Sequence, residues 1–318
     1  MSNRRLLRSS TMLSGLVGCT FLATVSAWAD GAIVTKAPPP AALAPAVDSF
    51  NEKFEAFGGA IGNQTIYGAN GSVTAPLQGP FGAQLDGTFG SLGGRSLGEI
   101  SGHLFWRDPA TGLLGLYGSE AYWNQFGGVS VGHAAFEAER YWGPFTVQGI
   151  AGVEFGNSAS TTNATTSIGP IVTTTSTLVN GVDVRTRFFD EINLKYYFTE
   201  DISGYVGQRY LGGENALALG AEVARPIGHG VMASAFVEGR IGQDNFHGIW
   251  GGLKFYFGPS DKSLMARHRQ EDPNNWNVDN LFGITNNQTM SSSTAQSCTI
   301  GTGGSGPGGC ETPFFGDG

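Results

Sequence analysis

Ionisable side chains recur in this sequence two and four residues apart, the spacing that places them on one face of a β-strand. Glu137 and Glu139, Arg185 and Arg187, Glu191 and Lys195, and Glu238 and Arg240 are the clearest cases. Together with Glu99, His103, Arg107, His133, Glu154, Glu222 and Lys254 they form a candidate polar wall on one side of a sheet. Two chemistries fit such a wall. Around a water-filled ring it sets an ion preference; the mixed signs then imply weak selectivity, and the acidic excess favours small cations. Around a narrow ring the same residues form a salt-bridge network that holds the lumen together.

Catalysis has little to build on. His103 and His133 could each act as a base, but no sequence pattern groups a serine, a histidine and an orienting acid, so no enzymatic activity is expected. Strand neighbours can still meet without being close in sequence. Gly93-Gly94-Arg95-Ser96 lacks the Lys-Ser/Thr of a phosphate loop and reads as a plain connection. Arg267-His268-Arg269 is followed at once by Glu271-Asp272, which suits a solvated face better than a nucleic acid contact. Cys298 and Cys310 could close a small disulfide loop in an oxidising compartment. No metal site or cofactor is expected.

The first 29 residues read as a cleavable export signal. Arg4, Arg5 and Arg8 form a basic start, Met12 to Val25 is mostly apolar, and Ala27-Trp28-Ala29 is a small-x-small cleavage site. Leu16-Val17-Gly18-Cys19 offers the rival reading of a lipid-attachment site at Cys19. Loss of three arginines moves the formal charge from −8 to −11, a poor balance for gripping nucleic acid phosphates. Residues 30–52 form a Pro/Ala-rich periplasmic lead-in. Residues 259–318, with Asn274-Asn275, Ser291-Ser292-Ser293 and many glycines, read as a mostly disordered periplasmic extension, apart from a helical turn or two at Ser263 to Arg269.

Between them, residues 53–258 read as about twelve short strands. These are Lys53–Gly62, Tyr67–Leu77, Ala83–Leu92, Leu97–Arg107, Leu113–Trp123, Val129–Trp142, Phe145–Gly156, Asp183–Phe198, Ile202–Leu211, Ala216–Arg225, Val231–Gly242 and Gly248–Phe257. Most are about ten residues long, enough to cross a bilayer at a barrel's tilt. Ile249, Leu253, Phe255 and Phe257 alternate with Trp250, Lys254 and Tyr256. Every second connection is tight, as at Asp108-Pro109-Ala110-Thr111-Gly112 and Pro226-Ile227-Gly228, whereas Asn157 to Val182 is a long threonine-rich stretch of expected coil. Aromatics cluster beside the tight turns. Trp106, Tyr141, Trp142, Tyr196, Phe198, Phe255 and Phe257 make a candidate periplasmic girdle at the membrane–water interface. The expected fold is all-β: a transmembrane antiparallel up-and-down barrel followed by a disordered tail.

The sequence resembles the small porin-like outer-membrane barrels of alphaproteobacteria. The resemblance is carried by Thr35-Lys36-Ala37-Pro38, Phe81-Gly82-Ala83-Gln84-Leu85-Asp86-Gly87, Gly102-His103-Leu104-Phe105-Trp106-Arg107-Asp108-Pro109, Leu114-Gly115-Leu116-Tyr117-Gly118 and Gly252-Leu253-Lys254-Phe255-Tyr256-Phe257-Gly258. It implies a Gram-negative outer-membrane location, contact with lipid, and an assembly signal read by the barrel-assembly machinery at Gly252, Phe255 and Phe257. Three departures stand out. That signal normally ends the chain, but about sixty residues follow it here. Trp250 occupies its usual polar position. Asp190 falls on the lipid face, which calls for a bulge or a site above the membrane. The expected function is a passive, weakly selective pore or a structural envelope component. The alternative is a secreted soluble β-protein that binds a partner through its loops.

Overall fold

The computed structural model describes residues 44–169 and 172–298. The export signal with Cys19, most of the Pro/Ala-rich lead-in, and Cys310 lie outside the described residues.

Twelve antiparallel strands close into a barrel. In chain order the first seven are β1 (Asn51–Ile61), β2 (Gln64–Pro76), β3 (Phe81–Leu92), β4 (Arg95–Asp108), β5 (Gly112–Trp123), β6 (Val129–Trp142) and β7 (Phe145–Gly156). The hairpin β8 (Ser158–Ile168) and β9 (Val172–Asp183) then leaves the barrel. The wall resumes with β10 (Arg187–Thr199), β11 (Ile202–Leu211), β12 (Glu214–Gly228), β13 (Val231–Gly242) and β14 (His247–Phe257). Closure pairs β1 with β14 from Glu52↔Phe257 to Ile61↔Gly248. A Cβ on Gly252 would collide with the Ala56 carbonyl at this seam, so glycine is needed there for closure.

The alternation along each strand sorts side chains between two surfaces. Outward positions are apolar and exposed: Phe136 is 74% and Phe89 67% exposed, and Leu85, Ile100, Leu116, Leu219 and Leu253 share that surface. Inward positions are buried and mix polar side chains, such as Glu99, His103 and Arg240, with apolar ones, such as Phe57, Trp123 and Trp250. No second layer covers the outer surface among the described residues. The core of this molecule is therefore its lumen.

We call the end where β1 begins and β14 finishes the near end. The tight turns fall there, as the sequence suggests, but the far end is nearly as economical. β1–β2, β3–β4 and β11–β12 are joined by two residues each, with Gly62, Gly93, Gly94, Gly212 and Gly213 at positive φ. Such residues fit the two-residue hairpin turns that match strand twist. The expected contrast of short and long loops thus reduces to one excursion, β8–β9.

Two corrections concern segments read as coil. Residues 158–168 and 172–183 are paired strands, not coil. The helical turn expected at Ser263 to Arg269 is present as α1 (Leu264–Gln270), but the residues after it, to 298, are not a disordered extension: they form the single turns α2 (Asn277–Asn280) and α3 (Phe282–Thr285), and β15 (Gln288–Cys298). β15 pairs with β9 to complete a three-stranded sheet β15-β9-β8. The physical reason is that β8 pairs only within its own hairpin while β9 and β15 find each other more than 100 residues apart, and neither Ser/Thr-rich segment shows the alternation that marks the barrel strands.

Candidate functional site

The barrel lumen is occupied by the chain's own C-terminal segment, which runs from the near end to the far end. At the near mouth α1 is capped by Ser263 and lies over the turns. Arg267 donates to the Gly230 carbonyl at 2.8 Å, and Arg269 donates to the carbonyls of Gly143 at 2.9 Å and Phe145 at 2.8 Å. The Arg269 guanidinium also lies over the rings of Tyr141 and Tyr197. His268 sits between the hydroxyls of Tyr197 at 3.0 Å and Tyr256 at 3.3 Å. Burial, then nearby Lys195, pushes its pKa well below the usual histidine value, so it is held neutral. Burial likewise pushes Glu271 up, against the opposing pull of Arg267. Ala46 and Val47 pack against Phe105 and Leu113, so the lead-in fills another part of the same mouth.

Further in, Asp272 pairs with Lys53 at 2.5 Å. Midway, Asn277 donates to Thr88 Oγ1 at 2.8 Å and accepts from Ser101 Oγ at 2.7 Å. Asp279 then receives Arg240 Nε and Nη2, both at 2.6 Å, and lies 3.1 Å from Arg209 Nε. Asn280 donates to Glu99 Oε1 at 2.6 Å and to the Tyr117 hydroxyl at 2.7 Å. Apolar packing takes over toward the far end, where Trp276, Leu281, Phe282 and Ile284 join Trp123, Val131, Phe246 and Trp250 in one buried cluster. At the far rim Asn286 donates to the Leu211 carbonyl at 3.0 Å, and Arg187 donates to Asn287 Oδ1 at 2.7 Å. The Asn287 carbonyl accepts from the Asp183 amide at 3.0 Å, which leads directly into the β15–β9 pairing.

Of the predicted wall, Glu99, His103, Arg107, His133, Glu137, Glu154, Glu191, Lys195, Glu222 and Arg240 are buried inside the barrel. Glu139, Glu238 and Lys254 point the same way, half-buried. Some of them pair: His103 lies 3.1 Å from Asp86 and 2.8 Å from Glu137, and Lys254 lies 3.5 Å from both Glu55 and Glu222, whereas the buried Arg107 guanidinium has no hydrogen-bond partner among the described residues. Arg187 stands at the far rim. Arg185 is a correction: it precedes β10, is exposed and pairs with Asp183 at 2.8 Å outside the barrel. Sequence reasoning missed Lys53, Glu55, Asp86, Arg209 and all the lumen contacts made by the tail.

The girdle residues divide. Trp106, Trp142, Tyr196, Phe198, Phe255 and Phe257 occupy outward positions near the near end. Trp142, Phe145, Tyr196 and Phe198 touch in series across three strands. Tyr141 is a correction: it is buried, faces inward and bonds Glu139 at 2.6 Å. It precedes Trp142 by one residue, and one step along a strand reverses the face. Asp190 does face outward, but its pairing with β7 and β11 continues without a bulge. It is the fourth residue of β10 from the far end. Cys298 closes β15, while its proposed partner Cys310 lies outside the described residues.

Strand register creates one catalytic-looking row that the sequence does not show. Ser119, His133 and Glu154 stand opposite one another on β5, β6 and β7, with Ser119 Oγ 3.2 Å from His133 Nδ1 and His133 Nε2 3.5 Å from Glu154 Oε2. The tail packs against this row. Asn280 donates to Ser119 Oγ at 3.2 Å, and a Cβ on Gly283 would come within 2.6 Å of Glu154 Oε2. These contacts join the row to the tail.

No family model matches this chain, and no curated protein matches it. Among solved structures it is similar to the β domain of the Bordetella autotransporter BrkA, at 17% identity and TM-score 0.35, covering 66% of this chain and 98% of that one. A Pseudomonas aeruginosa FadL homologue matches at 8% identity and TM-score 0.31, over 65% of this chain and 88% of that one. A loop-deletion form of OmpT, an outer membrane protein of Vibrio cholerae, matches at 11% identity and TM-score 0.25, over 66% and 98%. The closed strand order and the exposed apolar outer surface are those of an outer-membrane type of barrel.

Proposed function

We propose that this chain spans the outer membrane and serves as an envelope component whose lumen is shut by its own C-terminal segment, rather than as an open passive pore. The outer surface supports the membrane part of this reading. Outward charges on the barrel strands, Glu52, Arg140 and Arg225 toward the near end and Glu120 and Asp190 toward the far end, lie within four residues of a strand terminus. The belt between them is apolar, as lipid contact demands. A water-soluble β-protein would leave that belt in solvent, far beyond the few hundred Å² tolerated on a monomer. The near end is then periplasmic, the outward aromatics beside it form the interfacial girdle, and Gly252, Phe255 and Phe257 are the residues offered to the barrel-assembly machinery.

The observation that carries the closed-lumen reading is the burial of Asn277, Asp279, Asn280, Leu281, Phe282 and Ile284 inside the ring. Beside the tail a polar cavity of about 60 Å³ remains, lined by Lys53, Lys195, Glu222, Lys254 and Asp272 among others. That is room for a few water molecules. The test combines fractionation with planar-bilayer recording of the full-length chain. Resistance to carbonate extraction, heat-modifiable gel migration and an absence of sustained current steps are expected. Release in the soluble periplasmic fraction would overturn the membrane reading, and steady open-channel current would overturn the closed lumen.

A further inference from the structure

Phe257 ends β14 at the near end, yet Gln288 begins β15 beyond the opposite rim. The contacts from Arg269 through Asp272, Asn277 and Asp279 to Asn287 leave no alternative course: the segment between them passes through the lumen. β8–β9 is the one connection at the far end that grows into a hairpin, and β15 lands on its free edge. We infer that the barrel carries its own C-terminal strand across the membrane and that the β8–β9 hairpin is a receptor edge holding that strand on the cell surface.

The pairing is that of a strand added to an open sheet edge. It runs in continuous antiparallel register from Gln288↔Val182 to Cys298↔Val172, without a bulge. The outer edge of β9 carries none of the usual devices that block such addition, having no proline, lysine or arginine. The composition of the three strands fits this role. β8 (SASTTNATTSI), β9 (VTTTSTLVNGVD) and β15 (QTMSSSTAQSC) are rich in serine and threonine. Threonine favours extended backbone, and hydroxyls suit a sheet that stands in water on both faces. Eleven residues of β15 give a sheet about 35 Å long at roughly 3.3 Å per residue. Anchored at Asn287, this sheet holds β15 on the outer face, so the barrel works as a display device for that strand. This inference rests on the membrane reading above.

The test uses intact cells expressing the full-length chain with an epitope appended after Gly318, and a second form with the epitope inserted after Pro259. The membrane fraction of the same cells is checked first, because a chain found in the soluble fraction defeats the membrane reading itself. Antibody is expected to label the C-terminal epitope on intact cells and the Pro259 epitope only after permeabilisation. Labelling of the C-terminal epitope only after permeabilisation would overturn the inference even if the barrel is membrane-bound and closed. The receptor role is tested by replacing residues 158–183 with an Asn-Gly turn and confirming heat-modifiable migration. Surface labelling is expected to persist, while an impermeant protease cleaves within β15 at least tenfold faster. An unchanged cleavage rate would remove the hairpin's role.

Discussion

Replacing Asp279 with alanine is expected to loosen the tail inside the lumen. Asp279 accepts two hydrogen bonds of 2.6 Å from Arg240 and lies 3.1 Å from Arg209, and the two arginine side chains are 0% and 1% exposed. Removing one partner from a buried ion pair costs about 3–5 kcal/mol, because the remaining charge is left desolvated. Here the lower figure applies. Glu191 still meets Arg209 at 2.8 Å, and Glu238 still meets Arg240 at 3.0 Å. A loss of about 3 kcal/mol shifts the held–released equilibrium of the tail by roughly 100-fold. Hydrogen exchange of the refolded barrel reads this directly. Amides in residues 276–287 should lose protection by about that factor, while those of the barrel strands remain unchanged. Asp279→Asn, which keeps the shape and loses the charge, should fall between. Unchanged exchange in Asp279→Ala, with heat-modifiable migration intact, would refute the claim that this carboxylate anchors the tail.

Two further outcomes follow from the same geometry. Leu219→Arg places a charge midway along the outward face of β12 and should cost about 2–4 kcal/mol of folding free energy in vesicles; wild-type stability by equilibrium unfolding would contradict lipid contact there. The His268 part of the near-mouth anchor should weaken with acid, opposed at lower pH by Glu271, whose raised pKa favours the held state as pH falls. His268 is held neutral by burial and by Lys195, with Lys53, Lys254, Glu222, Tyr197 and Tyr256 also around it. Once released, it titrates near its ordinary value of 6.5. The depressed value in the held state means that anchoring is at full strength above that pH and is lost progressively below it. Proteolysis of the segment following Phe257 should therefore accelerate as pH falls below 6.5, and His268→Gln should flatten that dependence.

The wall of the barrel was legible because one face touches lipid and the other does not. In β14 the outward Ile249 and Leu253 and the inward Trp250, Lys254 and Tyr256 could be read from alternation alone, and they stand as expected. Arg209 gave no such signal. In β11 the outward Gly204, Gln208 and Tyr210 are as polar as the inward Ser203 and Tyr205. The tail was illegible for a related reason. A segment that fills a polar lumen must itself be polar, so Asn277, Asp279, Asn280 and Asn287 imitate the composition of coil. Trp276, Leu281, Phe282 and Ile284 were the available clue, since four large apolar residues so close together suit burial better than a solvated linker. Apart from Val182 at its base, the sheet of β8, β9 and β15 buries neither face and so lacks alternation. The Ser119, His133 and Glu154 row depends on register across three strands, which no single stretch of sequence carries.

The central claim is that residues near 277 sit inside the ring, against strand β4. Ser101 and Asn277 touch at 2.7 Å, although 176 residues separate them. In a full-length chain whose native cysteines are replaced by serine, Ser101→Cys with Asn277→Cys should form an intramolecular disulfide in the folded, heat-modifiable barrel, detected by peptide mass after digestion. A folded barrel in which these two thiols remain free under oxidation would contradict the account.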